Sequence, residues 1–163
     1  MKPKKVFYYV ILPFVSLVFI DQLSKYFISV NIDNLPVNII GTYLRFVYGE
    51  NRYAIFGISF GSNILHFILP TFALLLVIYL IYRYRKFPKL VVPLSIVLGG
   101  GLSNLLDRVI RGFVIDFIDM GIGGYRWYTY NFADAFTLLS IIYLLVYDIF
   151  GTKKTKEKEK KKS

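Results

Sequence analysis

A chain of 163 residues that is 56% hydrophobic, with a mean hydropathy of +0.54, is too apolar to turn all of its surface to water, and its length points to one domain. The net charge of +10 does not describe a nucleic-acid groove, because fourteen of the twenty Lys/Arg lie in three clusters that flank apolar blocks: Lys2, Lys4 and Lys5; Arg83, Arg85, Lys86 and Lys89; and seven lysines between Lys153 and Lys162. With no cysteine there is no disulfide framework, no thiolate nucleophile and no Cys-ligated metal.

The first apolar block, 6–28, follows a Lys-rich start but leads into Asp21, Gln22 and Lys25 in place of a small-residue cleavage site, so it is expected to be a retained membrane span. Asp21 and Lys25, four residues apart, can pair on one helical face. Segment 29–62 combines Asn/Asp/Gly/Pro punctuation with the alternating stretch "YLRFVYG", which predicts short strands or a hairpin. Block 63–82 is a second span. Its His66, the one histidine, has no acidic or His partner at i+3 or i+4, which leaves no His-based triad or zinc site. In the third block, 90–110, the stretch "GGGLSNLLDRVIRG" offers Gly99, Gly100, Gly101 and Ser103 for close approach of another helix. It lacks the Gly-Lys-Ser/Thr of a phosphate loop. Asn104, Asp107 and Arg108 share one face of this span; Asp107 is expected to hold a cation or a backbone donor, and Arg108 to fork towards carbonyls or anions. Segment 111–132, rich in Gly and aromatics ("MGIGGYRWYTYNF"), is expected at the membrane interface. Block 133–150 is the fourth span, and the Lys/Glu tail after Gly151 is expected to be disordered.

Four crossings with both termini inside bring every basic cluster to the cytoplasmic side and leave 29–62 and 111–132 outside. The expected architecture is an all-α membrane protein of four transmembrane helices with a small extracytoplasmic β-rich element. Depth follows from counting: Asp21 lies 16 steps from Lys5 and Asn104 lies 15 from Lys89, a climb of roughly 22–24 Å for each. Asp134 lies 19 steps from Lys153, roughly 28 Å. Asp21, Lys25, Asn104, Asp107, Arg108, Asn131 and Asp134 therefore gather at the outer boundary, and Asp116, in the loop between the last two spans, can fold back to them.

Carboxylates are costly at a membrane and mark functional positions. Two at one low-dielectric site share a proton. The ionised one can take a proton from water while its neighbour donates to a carbonyl oxygen, a route to peptide hydrolysis. The alternative for Asp134 is a helix cap at the start of the fourth span. A small proton-coupled transporter or lipid-handling protein could use the same acids, but transporters favour internal repeats and midplane sites, whereas here polar residues crowd one end.

Five motifs in order, "DQLSK" at 21–25, "NRYAIFG" at 51–57, "GGLSNLLDR" at 100–108, "GFVIDFID" at 112–119 and "NFADA" at 131–135, make the chain similar to the lipoprotein signal peptidases, the type II signal peptidases of bacteria. The resemblance implies an intramembrane aspartic endopeptidase that removes the signal peptide from prolipoproteins by cutting before the diacylglyceryl-modified cysteine. It implies Asp116 and Asp134 as the catalytic pair, Asn51, Asn104, Arg108 and Asn131 as substrate contacts, and Asp21, Lys25 and Asp107 as polar support. No metal or organic cofactor is implied. The expected partners are diacylglyceryl-modified prolipoproteins and membrane lipids, not nucleic acid, and the expected state is a monomer in the bacterial cytoplasmic (inner) membrane with its active site at the outer face. Residues 1–152 are expected to form the peptidase domain and 153–163 a disordered basic cytoplasmic tail. Tyr53 and Ile55 stand where the family carries small residues, Ser103 where it carries Gly, and Ala135 where Ser or Thr follows the second aspartate.

Overall fold

The structure, a computed structural model, describes residues 1–52 and 65–160, with side chains described for 1–52 and 67–148. Tyr53, Ile55 and the His66 side chain lie outside that set. Each apolar block is a helix. Helix α1 (Pro3–Val30) opens with proline at its first position, where the missing N–H costs nothing, and includes a π-helical stretch at Phe7–Ile11. A hairpin of β1 (Val37–Ile40) and β2 (Leu44–Asn51) follows, then α2 (Leu65–Arg83) and α3 (Pro88–Arg111). Helix α3 ends on Gly112, whose φ of +81° supplies the left-handed turn that a side chain would resist; its amide donates to the Arg108 carbonyl at 3.1 Å. Strands β3 (Val114–Ile122) and β4 (Tyr125–Arg126) lead into α4 (Phe132–Lys160). Helices α1 and α3 are long and apolar enough to cross a membrane; in α2 the apolar stretch Phe67–Arg83 is shorter.

Burial is inverted relative to a protein in water. Among the described residues, nine hydrophobic and nine polar or charged side chains are buried, while Phe19, Phe72, Ile110 and Leu139 are at least 60% exposed. Apolar surface on this scale would be costly in water, and lipid removes the cost. Helix α3 is the hub. A Cβ on Gly99 would lie 2.8 Å from the Phe14 carbonyl oxygen of α1, and one on Gly101 would lie 2.8 Å from Leu74 Cδ2 of α2. One on Gly100 would strike Thr137 Oγ1 and the Ala133 carbonyl of α4. Successive helical residues point about 100° apart, so three adjacent glycines serve three different neighbours.

The four strands form one antiparallel sheet in the order β1-β2-β3-β4. The hairpin expected around "YLRFVYG" is there. Within the segment 111–132 lies a nine-residue strand, β3, that the sequence did not announce. Val114, Ile115, Phe117 and Ile118 favour extended backbone, and because both faces of the strand are covered, the apolar/polar alternation that would have announced it is missing. Phe117 meets Phe46 and Phe132 edge-on, with ring centroids 5.7 and 5.3 Å away, and Ile115, Phe117, Ile118 and Ile28 form the core that joins sheet to helices. At the other end, the backbone of α4 stays helical as far as Lys160 where composition suggested a disordered tail; Lys and Glu are good helix formers, and nothing after Gly151 breaks the helix.

Candidate active site

Two polar clusters meet where α1, α3, α4 and β3 converge. The first is ionic. Lys25 Nζ lies 2.6 Å from Asp21 Oδ2 and 2.8 Å from Asp107 Oδ2, all three side chains being fully buried. Asp21 also accepts from Ser103 Oγ at 2.8 Å and from the Ala133 amide at 2.9 Å, which ties α1 to α3 and α4. Asp107 takes Arg111 as a second cation, one turn on, and accepts from Gln22 Nε2 at 2.9 Å and the Ile115 amide at 3.4 Å. The two roles expected of Asp107, holding a cation and holding a backbone donor, are both present. Ser103 spends its hydroxyl inside this cluster.

The second cluster is made of acids and amides. Asp116 Oδ2 accepts from Asn51 Nδ2 at 2.9 Å, and its Oδ1 accepts from Asn131 Nδ2 at 2.7 Å. Asp134 Oδ1 accepts from Asn104 Nδ2 at 2.8 Å. Asn131 and Asp134 also cap α4 reciprocally: the Asp134 amide donates to Asn131 Oδ1 at 2.9 Å, and the Asn131 amide faces Asp134 Oδ2 at 3.4 Å. The capping role and the shared site are therefore compatible, because the two Asp134 oxygens divide the work. Asp116 reaches this cluster on a strand, not on a folded-back loop. Tyr130 holds the strand there, its carbonyl accepting from the Ile118 amide at 2.7 Å and its amide donating to the Ile118 carbonyl at 3.1 Å. Burial first, and the nearby Asp134 second, push the Asp116 carboxyl up to about 7.

Arg108 donates to the Asn104 carbonyl at 3.1 Å and lies within electrostatic reach of Asp134, Asp116 and Asp107. The residues expected at the site, Asp116, Asp134, Asn51, Asn104, Arg108, Asn131, Asp21, Lys25 and Asp107, are thus brought to, or next to, one place. Sequence reading gave Gln22 no role at the site and passed over Arg111 and Tyr130. Arg111 lies at i+4 from Asp107, a spacing that could have revealed it; Tyr130 acts through its backbone and leaves no such trace.

A helical bundle with apolar residues outside, polar residues inside and two amide-held acids at one end is the arrangement of a membrane protein with a built polar site. Residues 13–150 match the family model of signal peptidase (SPase) II. The chain is 35% identical over 159 residues to lipoprotein signal peptidases of two Borreliella burgdorferi strains, ZS7 and ATCC 35210, covering 88% of this chain and 91% of each relative. Two solved structures described as a bacterial membrane enzyme, determined by the in meso method at 2.3 and 1.9 Å, superpose with TM-scores of 0.78 and 0.73 at 29% identity. They cover 88% and 83% of this chain and 89% of each of theirs. The chain belongs to the signal peptidase II family, and so is a peptide-bond hydrolase.

Proposed function

We propose that this signal peptidase cleaves prolipoproteins before the diacylglyceryl-modified cysteine, with Asp116 and Asp134 as a proton-sharing pair. The ionised carboxylate takes a proton from water, whose oxygen attacks the scissile carbonyl carbon. The protonated carboxyl gives its proton to the carbonyl oxygen. Collapse of the resulting gem-diol breaks the C–N bond: the proton taken from water passes to the leaving amine, and a gem-diol hydroxyl returns its proton to the other aspartate, which restores the pair. The observation that carries this reading is the setting of the two acids: Asp116 is buried, Asp134 lies near enough to oppose its ionisation, and both are hydrogen-bonded by neutral amides.

Arg108, with its planar fork, holds substrate backbone carbonyls, aided by Asn51, Asn104 and Asn131, whose amides reach the same acids. Asp21, Lys25 and Asp107 brace the helices. All four helices cross the membrane, residues 1–152 form the peptidase domain, and both termini and the 83–89 loop face the cytoplasm. This orientation is supported by the three basic clusters. The sheet then covers the outer mouth of a monomer in the bacterial cytoplasmic membrane, with membrane lipid around the helices and the lipidated cysteine of the substrate at its outer surface.

The test is incubation of purified protein, in lipid, with a diacylated prolipoprotein and mass analysis of the products. Release of the intact signal peptide, with the lipidated cysteine as the new N-terminus, is expected. Failure to cleave, or cleavage elsewhere, overturns the assignment.

A further inference from the structure

The Lys25 ammonium has three N–H bonds and three acceptors: Asp21 Oδ2 at 2.6 Å, Asp107 Oδ2 at 2.8 Å and Asn104 Oδ1 at 2.8 Å. The first two close the ion cluster. The third does something else. An ammonium can only donate, so the Asn104 oxygen turns to Lys25 and its nitrogen must turn away, to Asp134 Oδ1 at 2.8 Å. With the amide reversed, its NH2 would face the ammonium and its oxygen would face the carboxylate. The Asn104 oxygen also accepts from Asn131 Nδ2 at 3.1 Å. Asn131 Oδ1 is already taken by the Asp134 amide, so its nitrogen is left for Asp116. One buried cation therefore sets the sense of an amide chain that presents an N–H to each acid.

We propose that Lys25 is a positioning residue for hydrolysis: through Asn104 it fixes the donor facing Asp134 and keeps the shared proton on the Asp116 side. This inference rests on the two aspartates being the catalytic pair. The charged groups around the pair are Lys25 and Asp21 from α1, and Asp107, Arg108 and Arg111 from α3; β2 contributes the neutral Asn51 and α4 the neutral Asn131. Lys25 is the one among them that donates to an amide which in turn donates to an acid of the pair.

Changing Lys25 alone would leave the buried Asp21 carboxylate without a cation, so the test uses Asp21→Asn with Lys25→Met, which removes one charge of each sign and leaves Asp107 with Arg111. With a diacylated prolipoprotein as substrate, kcat should fall about 10- to 100-fold, the scale of one lost charge-assisted hydrogen bond, with KM little changed. The acid limb of the kcat–pH profile should move to higher pH, because without the Asn104 donor that Lys25 turns towards Asp134 the ionised pair is less favoured and holds both protons longer. Asn104→Ala leaves the ion cluster in place and should give the same kcat loss and the same limb shift, so it decides the matter if the first variant does not fold. Combining the changes should cost little more than either alone. A rise in KM with kcat and the acid limb unmoved, or losses that add, would reduce Lys25 to a brace. A wild-type protein that does not cleave would instead defeat the catalytic-pair reading on which the inference stands.

Discussion

Asp116 and Asp119 lie three residues apart on β3 and are equally buried, each 4% exposed, yet their surroundings send them opposite ways. An odd spacing on a strand puts their side chains on opposite faces. Across the ladder Asp119 meets Arg45, whereas Asp116 meets Gly49. Arg45 and Arg126 both pair with Asp119, at 2.5 and 2.8 Å. Burial opposes its charge, but the hydrogen bonds and charges of these arginines outweigh burial and hold the carboxyl below the usual range. Among the described residues Asp116 receives hydrogen bonds from amides only, and burial with Asp134 nearby pushes it up to about 7. A carboxylate given cations is fixed in its ionised form. One given amides remains able to hold or release a proton near neutrality, which is what acid–base work requires.

The contrast breaks most visibly if either acid of the pair is neutralised. Asp116→Asn or Asp134→Asn keeps size and most hydrogen bonding, and each should lose about 10³-fold or more of the cleavage rate. The double variant should be hardly worse, since the two act as one unit. Cleavage assays on lipid-embedded protein measure this; robust activity in either single variant would return Asp134 to capping alone.

The pH dependence sharpens the comparison. Above about 7 the Asp116 carboxyl loses its proton, no acid remains to protonate the carbonyl, and cleavage should decline about tenfold per pH unit on that limb. Stability follows the same sign. From the unfolded value of 3.8 up to about 7 the folded chain keeps a proton that the unfolded chain has lost, so this group's contribution is present below 3.8 and gone once pH passes about 7. Asp116→Asn should therefore raise the thermal midpoint more at pH 8 than at pH 5.

A smaller loss is expected from Arg108→Lys. Lysine keeps the charge near Asp134 and Asp116 but lacks the planar fork that donates to the Asn104 carbonyl. About a 10- to 100-fold drop in kcat/KM with normal folding is expected. Wild-type cleavage by the lysine variant would make the position purely electrostatic.

Much of this was legible in the sequence because helices translate residue number into depth. Counting steps from Lys5, Lys89 and Lys153 brought Asp21, Asn104 and Asp134 to one level, and the hydrogen-bonded network joins them there. The small residues of α3 announced close packing, and its three glycines meet three helices. The strand β3 was not legible. Its aspartates fall at a spacing of three within an apolar run covered on both faces, so the two-residue period is hidden, and its partner β2 lies more than sixty residues earlier in the chain. The sorting of aspartates into ionic and amide environments was hidden for the same reason, since Arg45, Gly49, Asn51 and Arg126 are set against them by register and not by local spacing.

The smallest expected effect belongs to Asp119. Its carboxylate gathers Arg45 from β2 and Arg126 from β4, and Arg126 donates onward to the Thr42 carbonyl at 2.6 Å, so the group sews the β1–β2 turn to the β3–β4 edge. Both arginines are partly exposed and can find water when the charge is removed, which limits the loss. Asp119→Asn should thus cost about 1–2 kcal/mol of stability at neutral pH. Cleavage should stay within about threefold of wild type, because the change lies on the face of β3 turned away from the pair. The depressed carboxyl contributes its stability above the unfolded value and loses it as pH falls through the folded one. The gap between variant and wild type should accordingly be full at pH 7 and close in strong acid. Trp127, the sole tryptophan, follows Arg126 in the chain, so its fluorescence during thermal unfolding reports this edge directly. A large loss of cleavage without loss of stability would place Asp119 in the chemistry and erase the distinction between the two faces of the strand.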